Sequence, residues 1–309
     1  MNPIHKTAHR RRLSWTAFVL LLLCVAVRAL CQDDATQATE TETRPFPGVR
    51  YVRLEQLSPD PVVSHIVEIA LDAPGLRFKT TASNGADAPR ETWCESTREF
   101  VARVGGQIGI NSNYFILDDE YHTDLLGLAV SEGAIVSPWD NGEASYALNI
   151  TRDNRASFVE RPENGAGAAE TVPETSLYNA VSGRPMLLRN GDVLVSKGGN
   201  RHPRTAVGLT ADNTLLLLVA DGRQPAYSVG MTFHEMALLL RAYGAVDALA
   251  LDGGGSATLV FADPEARVVN VPMPAELPLD MTLPSPGIER QNGNNLAIFV
   301  APPPQDEDE

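Results

Sequence analysis

Residues 214–220, TLLLLVA, and residues 248–251, ALAL, bracket the stretch whose reading decides the architecture. Both runs are apolar without alternation, the pattern of strands covered on both faces. Between them Thr232 stands three residues before Glu235, the spacing of a capping box, and Gly244 supplies a stop. Phe233, Met236, Ala237, Leu240 and Tyr243 fall on one face, so residues 232–243 read as an amphipathic helix. Strand, helix and strand make a βαβ unit over residues 214–251, which predicts a right-handed crossover and two parallel strands. The expected fold class is α/β: a mixed, β-rich sheet architecture around that unit.

Ligands of such units gather at the carboxyl ends of the strands. There the chain places Asp221-Gly222-Arg223 and Asp252-Gly253-Gly254-Gly255-Ser256. Each Asp is the first polar residue after an apolar run, so both carboxylates are expected at one edge of one sheet, with at most one strand between. Either motif alone reads as a turn. Two of them across one βαβ unit point to a site, with the glycines bringing backbone N–H groups close to a ligand.

Several familiar chemistries fail on the residues. Asp252 to Ser256 leads into Ala257-Thr258-Leu259-Val260-Phe261, which reads as a strand, so it is not a dinucleotide fingerprint. His234-Glu235 begins like a zinc-protease helix, but Leu238 stands where the second His belongs. Ser256 lacks the final Gly of a nucleophile elbow and reads as a turn residue or amide donor.

Working outward, Val62 to Leu71, Gln107 to Ile110 and Leu296 to Val300 read as strands, and Thr205 to Leu209 alternates as one. Polar clusters adjoin them: Asn111-Ser112-Asn113-Tyr114-Phe115, Arg201-His202-Pro203-Arg204, and Arg290-Gln291-Asn292-Gly293-Asn294-Asn295. Asn111 and Asn113 lie on one side of an extended segment and could present amides to hydroxyls. Tyr114 and Phe115 fit either a stacking platform or the core. Glu235 is explained by its capping box and is a secondary catalytic candidate. Arg outnumbers Lys by 22 to 3, and planar guanidinium forks suit bidentate recognition of phosphate or carboxylate.

At the N-terminus, Lys6 and Arg10 to Arg12 precede an apolar run from Trp15 to Val27, the pattern of an export signal over residues 1–31. Residues 32–48 are rich in Asp, Thr and Glu and are expected to form a disordered acidic linker. Residues 302–309 are expected to form a disordered acidic tail, and residues 160–174 a surface loop. The body, residues 49–301, suits one large domain. The chain carries 25 basic and 39 acidic residues, net −14, and five of the basic ones lie in the first 31 residues. So acidic a protein repels polyanions, which excludes general nucleic-acid binding and anionic membranes as partners. Of three cysteines, Cys94 has no evident mate once Cys24 and Cys31 leave with the signal, so folding without disulfides is expected. The expected setting is exported: periplasmic, cell-surface or extracellular, with no stable membrane insertion after cleavage.

Taken in order, these motifs resemble the phosphodiester glycosidases related to the lysosomal enzyme that uncovers mannose 6-phosphate. The resemblance runs through Asn111 to Phe115, Ser182-Gly183-Arg184-Pro185-Met186-Leu187, Pro203-Arg204-Thr205-Ala206-Val207-Gly208, Asp221-Gly222-Arg223, Thr232 to Leu240 and Ala248 to Ser256. It closes with Glu289-Arg290 and Asn295 at the last strand. Ser112 departs from the small residue that many relatives carry there. The cysteine-rich C-terminal modules of the animal enzyme are not in this sequence, and its trafficking context is not carried over.

The resemblance implies hydrolysis of a sugar-1-phosphodiester to free sugar and phosphomonoester. Arg204 and Arg223, with Arg290 in support, would clamp the phosphate. Asp252 and Asp221 would be acid and base, with Glu235 behind them. Gly254, Gly255, Ser256, Asn111, Asn113 and Asn295 complete the expected binding set. Attack at the anomeric carbon and attack at phosphorus are both open. The expected partner is a sugar phosphodiester or a cell-envelope glycan, and no cofactor is called for. Two alternatives stand: a non-catalytic envelope or exopolysaccharide-binding protein, and a metal-dependent phosphodiesterase whose Asp221 and Asp252 hold a divalent cation.

Overall fold

The computed structural model describes residues 38–118, 120–139, 144–161, 176–273 and 287–300. The export signal expected over residues 1–31, residues 32–37 of the linker, residues 162–174 of the expected loop and the tail 302–309 lie outside the described residues.

The apolar runs do form strands, at the centre of an eight-stranded sheet. Its order is Ala38–Phe46, Val49–Gln56, Val62–Ala70, Thr214–Ala220, Arg204–Thr210, Ala245–Ala250, Met186–Arg189 and Asp192–Val193. Thr214–Ala220 and Ala245–Ala250 run in the same direction, but Arg204–Thr210 lies between them and pairs antiparallel with both. Every strand pairing among the described residues is antiparallel. The α/β class and the βαβ unit of paired parallel strands therefore give way to a β-rich antiparallel fold. The expectation failed because continuous apolarity reports burial of both faces, and here both faces of an antiparallel sheet are covered.

Among the described residues two α-helices pack on different sheets. The first helix, α1 (Thr97–Val104), is capped by Ser96 and Glu99 and stops at Gly105, and it was not foreseen. The second, α2 (Phe233–Ala242), carries the expected Thr232–Glu235 capping box. Its Met236, Ala237 and Leu240 pack with Leu216, Leu218, Ala206 and Ile66 of the large sheet. The alternate residues Leu215, Leu217 and Val219 enter a second core with Ile108, Ile110, Leu148, Val181 and Ile298 from two five-stranded sheets. Alternation along one strand thus feeds two cores. In the sheet ordered Ala266–Val268, Leu259–Ala262, Ile108–Asn111, Asn295–Phe299 and Arg77–Thr80, the strand Ile108–Asn111 points its end at the Asp252 turn.

Residues 38–46, expected within the disordered linker, form an edge strand paired with Val49–Gln56 from Ala38↔Gln56 to Phe46↔Val49. Thr39, Thr41 and Thr43 supply β-branched residues, and Arg50 draws in Glu42 at 2.9 Å and Glu40 at 3.4 Å. The charged side chains also protect the open edge from pairing with other chains.

Candidate active site

Because Thr214–Ala220 and Ala245–Ala250 run the same way one strand apart, Asp221 and Asp252 lie at the same end of the large sheet, as expected. Neighbouring strands are about 4.8 Å apart, so the two backbones are separated by roughly 10 Å. Their environments differ.

Asp252 sits on a turn built by three segments. Its N–H donates to the Ser112 carbonyl at 2.9 Å, and its own carbonyl accepts from Nδ2 of Asn111 at 2.5 Å. The Asn111 Oδ1 accepts from the Thr205 hydroxyl at 2.8 Å and from the Thr258 N–H at 3.2 Å. One buried amide therefore ties together the end of its own strand, the strand carrying Arg204 and both sides of the Asp252 turn. Beyond Asp252, residues Gly254–Ser256 make one 3₁₀ turn. A Cβ on Gly253 would come within 2.8 Å of the Pro203 carbonyl, and one on Gly254 within 2.9 Å of Nη2 of Arg223. The glycines thus let the segment before Arg204 and the head of Arg223 close against the turn.

Asp252 is buried, its side chain 11% exposed. Its Oδ2 accepts from the Ser256 hydroxyl at 2.5 Å and from Nη2 of Arg290 at 3.2 Å, and the same Arg290 nitrogen also donates to Ser256. Burial raises its pKa above the ordinary aspartate value, opposed by the Ser256 hydrogen bond, the charge of Arg290, the Gly253 N–H and the charge of Arg223. The result is a carboxyl group able to exchange a proton above the usual range.

Arginines surround it. Arg204 is half-buried, its Nε donating to the Met231 carbonyl and its Nη2 to that of Asn200, each at 3.0 Å, with Cζ 4.0 Å over the Phe233 ring. Burial lowers its pKa; the Tyr114 phenol opposes this, and the like charge of Arg223 adds to it. Arg223 adopts a left-handed φ of 61°, uncommon for a residue other than glycine, and donates to the Met273 carbonyl at 3.4 Å. Tyr114, which the sequence left between stacking platform and core, faces this cluster. Its hydroxyl is pushed up to about 12 by burial and by the Asp252 charge, against Arg204 and Arg184. Its position one residue past the buried Asn113 was the available signal.

Other expected site residues take different places. Asp221 is buried with four donors around it: Asn270 Nδ2 at 3.0 Å and the Val271 N–H at 2.8 Å on Oδ1, and the Tyr227 hydroxyl at 3.2 Å on Oδ2, beside His65 Nε2 at 3.3 Å. It braces the turn that carries Arg223. Glu235 closes the cap of α2 and pairs with Arg201 at 2.5 Å. Burial would raise its pKa, but Arg201 and Thr232 outweigh this and lower it. Both carboxylates are thus held by partners within the fold.

The three asparagines expected to contact substrate are buried too. Asn113 donates to the Leu128 carbonyl at 3.2 Å and accepts from the Ser182 N–H at 3.0 Å and from Asn294 at 2.9 Å. Asn295 accepts from the Thr97 hydroxyl at 2.7 Å and donates to the Glu95 carbonyl at 3.3 Å. With Asn111 they lock strands together and offer no amide to a ligand. Polar residues beside an apolar strand look alike in sequence whether they bind a ligand or a neighbouring backbone. Of the expected residues, Asp252, Ser256, Arg204, Arg223 and Arg290 lie about the Gly254 turn, with Gly255 buried. Among the described residues no three His, Cys, Asp or Glu side chains are grouped to hold a metal ion, and Asp221 is already surrounded by donors.

The family model described as phosphodiester glycosidase matches residues 105–299, which include all five of these residues. No curated protein matches the chain by sequence. Among solved structures, the catalytic domain of zebrafish N-acetylglucosamine-1-phosphodiester alpha-N-acetylglucosaminidase, described as auto-inhibited by its pro-peptide, is similar with a TM-score of 0.60 and 20% identity, over 88% of this chain and 85% of that one. A Burkholderia pseudomallei protein described as exported has a TM-score of 0.62 at 13% identity, over 86% of this chain and 97% of its own. A Synechocystis protein has a TM-score of 0.56 at 12% identity, over 85% of this chain and 64% of its own. At these identities the likeness is one of fold.

Proposed function

The chain belongs to the phosphodiester glycosidase family, and from that premise we propose that it hydrolyses a sugar-1-phosphodiester, releasing the free sugar and a phosphomonoester. The observation that carries this reading is the gathering of Arg204, Arg223 and Arg290 about one buried carboxylate, Asp252, in a chain with net charge −14. A phosphodiester brings a single negative charge, and guanidinium groups meet its non-bridging oxygens with charge-assisted hydrogen bonds.

With Asp221 engaged elsewhere, the cluster holds one candidate proton-transfer group. That favours attack by water at the anomeric carbon. A phosphomonoester leaves as an anion already held by arginines and needs no separate acid, so Asp252 as a base on water is sufficient. Ser256 and Arg290 fix the orientation of the carboxylate, and Tyr114 presents a neutral hydroxyl beside it at neutral pH.

An exported setting is part of the same proposal. It is supported by the basic-then-apolar N-terminal pattern, and a similar Burkholderia structure is described as exported. Among the described residues no helix is long and apolar enough to cross a membrane. The deciding experiment is a panel of sugar-1-phosphodiesters, N-acetylglucosamine first, followed by phosphorus NMR in ¹⁸O-water. Label in the released sugar supports attack at carbon; label in the phosphate overturns it; absence of turnover across the panel overturns the reaction.

A further inference from the structure

Behind Asp221 lies an array of polar side chains that the proposed reaction leaves unused: Tyr51, His65 and Tyr227. His65 stands within Val62–Ala70, opposite Val219 of the neighbouring strand, with its side chain wholly enclosed. An imidazole buried in a sheet costs stability unless its ring nitrogens are bonded. Here both are: Nδ1 lies 2.7 Å from the Tyr51 hydroxyl and Nε2 lies 3.3 Å from Oδ2 of Asp221. The other groups around that carboxylate, Asn270 Nδ2, the Val271 N–H and the Tyr227 hydroxyl, all donate to it. The carboxylate is the acceptor, so Nε2 carries the ring hydrogen and Nδ1 accepts that of Tyr51. Packing holds the same arrangement. The Tyr51 and His65 rings are nearly parallel, 8° apart, and Tyr51 meets Phe261 edge to face at 5.2 Å.

From this array two short segments lead to the arginine cluster. Asp221 and Arg223 lie on one, Val271 and Met273 on the other, and the two are tied at both ends. Oδ1 of Asp221 accepts from the Val271 N–H at 2.8 Å, and Nη1 of Arg223 donates to the Met273 carbonyl at 3.4 Å. Between these ties, Nε2 of Gln224 donates to the Val271 carbonyl at 2.9 Å and to that of Gly222 at 3.1 Å. The direction of the Asp221 carboxylate therefore sets where Met273 sits, and with it the head of Arg223. What stops that carboxylate from turning is the pair of groups on Oδ2. Tyr227 belongs to the same turn, six residues on, and moves with it, whereas His65 is fixed within the sheet. His65 also lies outside residues 105–299, the span of the family match.

We propose that His65 is a positioning residue for the phosphate clamp: through Asp221 it fixes residues 270–273 and thereby the guanidinium of Arg223. The inference rests on the reading of Arg223 as a phosphate ligand and adds a residue, remote in sequence, that sets how well it binds.

The test uses the full chain with N-acetylglucosamine 1-(methyl phosphate). His65→Leu removes both ring nitrogens at similar volume, and His65→Gln returns an N–H near the place of Nε2. In His65→Leu, KM is expected to rise about tenfold, as for a weakened charge-assisted hydrogen bond, with a smaller fall in kcat. His65→Gln should recover most of that loss. In an Arg223→Ala background His65→Leu should leave KM unchanged, because the histidine acts through that arginine. The same factor in both backgrounds, or no recovery in His65→Gln, overturns the proposal. Should His65→Leu fail to fold, Tyr51→Phe removes only the hydroxyl that orients the ring; KM should then rise about threefold, and not in the Arg223→Ala background. An unchanged KM in that variant overturns the proposal equally. Arginine ¹⁵N NMR separates the positioning from the reaction: the Nε signal missing in Arg223→Ala should shift in His65→Leu and return in His65→Gln. If the wild-type protein turns over no substrate, the phosphodiester reading falls and this signal decides alone. A shift that His65→Gln reverses upholds the positioning role, and an unmoved signal overturns it.

Discussion

Asn111 donates its side-chain N–H to the main-chain carbonyl of Asp252 across 2.5 Å, although 141 positions separate them in sequence. The amide fixes the backbone from which the buried carboxylate projects, and its oxygen serves Thr205 and Thr258. Replacing it by alanine should leave three buried polar groups short of a partner. Asn111→Ala is expected to cost about 2–4 kcal/mol of stability and to lower kcat by misplacing Asp252, read by urea denaturation and steady-state kinetics. Unchanged stability would show that the amide is not the clamp.

Asp252→Asn keeps the side chain's volume while removing its charge and its capacity for proton exchange. The variant should fold, bind the phosphodiester and lose at least about a hundredfold in kcat. Near-normal turnover would reduce Asp252 to a turn residue.

Arg223→Ala is expected to raise KM as well as lower kcat, because a phosphate clamp acts in both ground and transition states. Calorimetric titration with inorganic phosphate should show the same weakening. A change confined to kcat would remove Arg223 from phosphate binding.

Asp221 and Glu235 should behave as structural carboxylates. Asp221→Ala strands the donors from Asn270, Val271 and Tyr227 and should cost roughly 3 kcal/mol or more. Glu235→Ala removes half of the α2 capping box and should cost about 1 kcal/mol, with kcat nearly unchanged. A hundredfold loss of kcat in a fully folded Glu235→Ala protein would return that residue to the reaction.

Two of the shifted carboxylates, Asp252 and Glu235, give stability opposite pH dependences. Burial raises Asp252 in the native state above 3.8, so its contribution is present below that value and is lost as pH rises through the raised native value. Glu235 is lowered below 4.5, so its contribution is present above 4.5 and is lost as pH falls through the lowered native value. Urea midpoints against pH should therefore lose the first dependence in Asp252→Asn and the second in Glu235→Gln. For turnover with Asp252 as base, kcat/KM should climb with pH through a value above that of free aspartate.

Local and periodic features were legible in the chain. Thr232, Glu235 and Gly244 bounded α2 because capping and a left-handed stop depend on residues within a few positions of each other. The apolar runs at 214–220 and 248–251 marked strands covered on both faces, and the Asp that follows each run marked one end of the sheet. Arg204, Arg223, Ser256 and Arg290 stood out in the sequence because cations and a Gly-rich turn beside strand ends have few roles in a core.

The tertiary structure decided what depends on partners distant in sequence. Strand direction was one such feature, because Arg204–Thr210 enters between the two apolar strands and burial alone carries no sign of parallel or antiparallel pairing. The surroundings of the two aspartates were another: each follows an apolar strand and precedes glycine, yet Asp221 meets Asn270 and Val271 while Asp252 meets Ser256 and Arg290. A carboxylate's chemistry is set by the donors and charges within a few ångströms of it, and here the long-range folding of the chain supplies most of them.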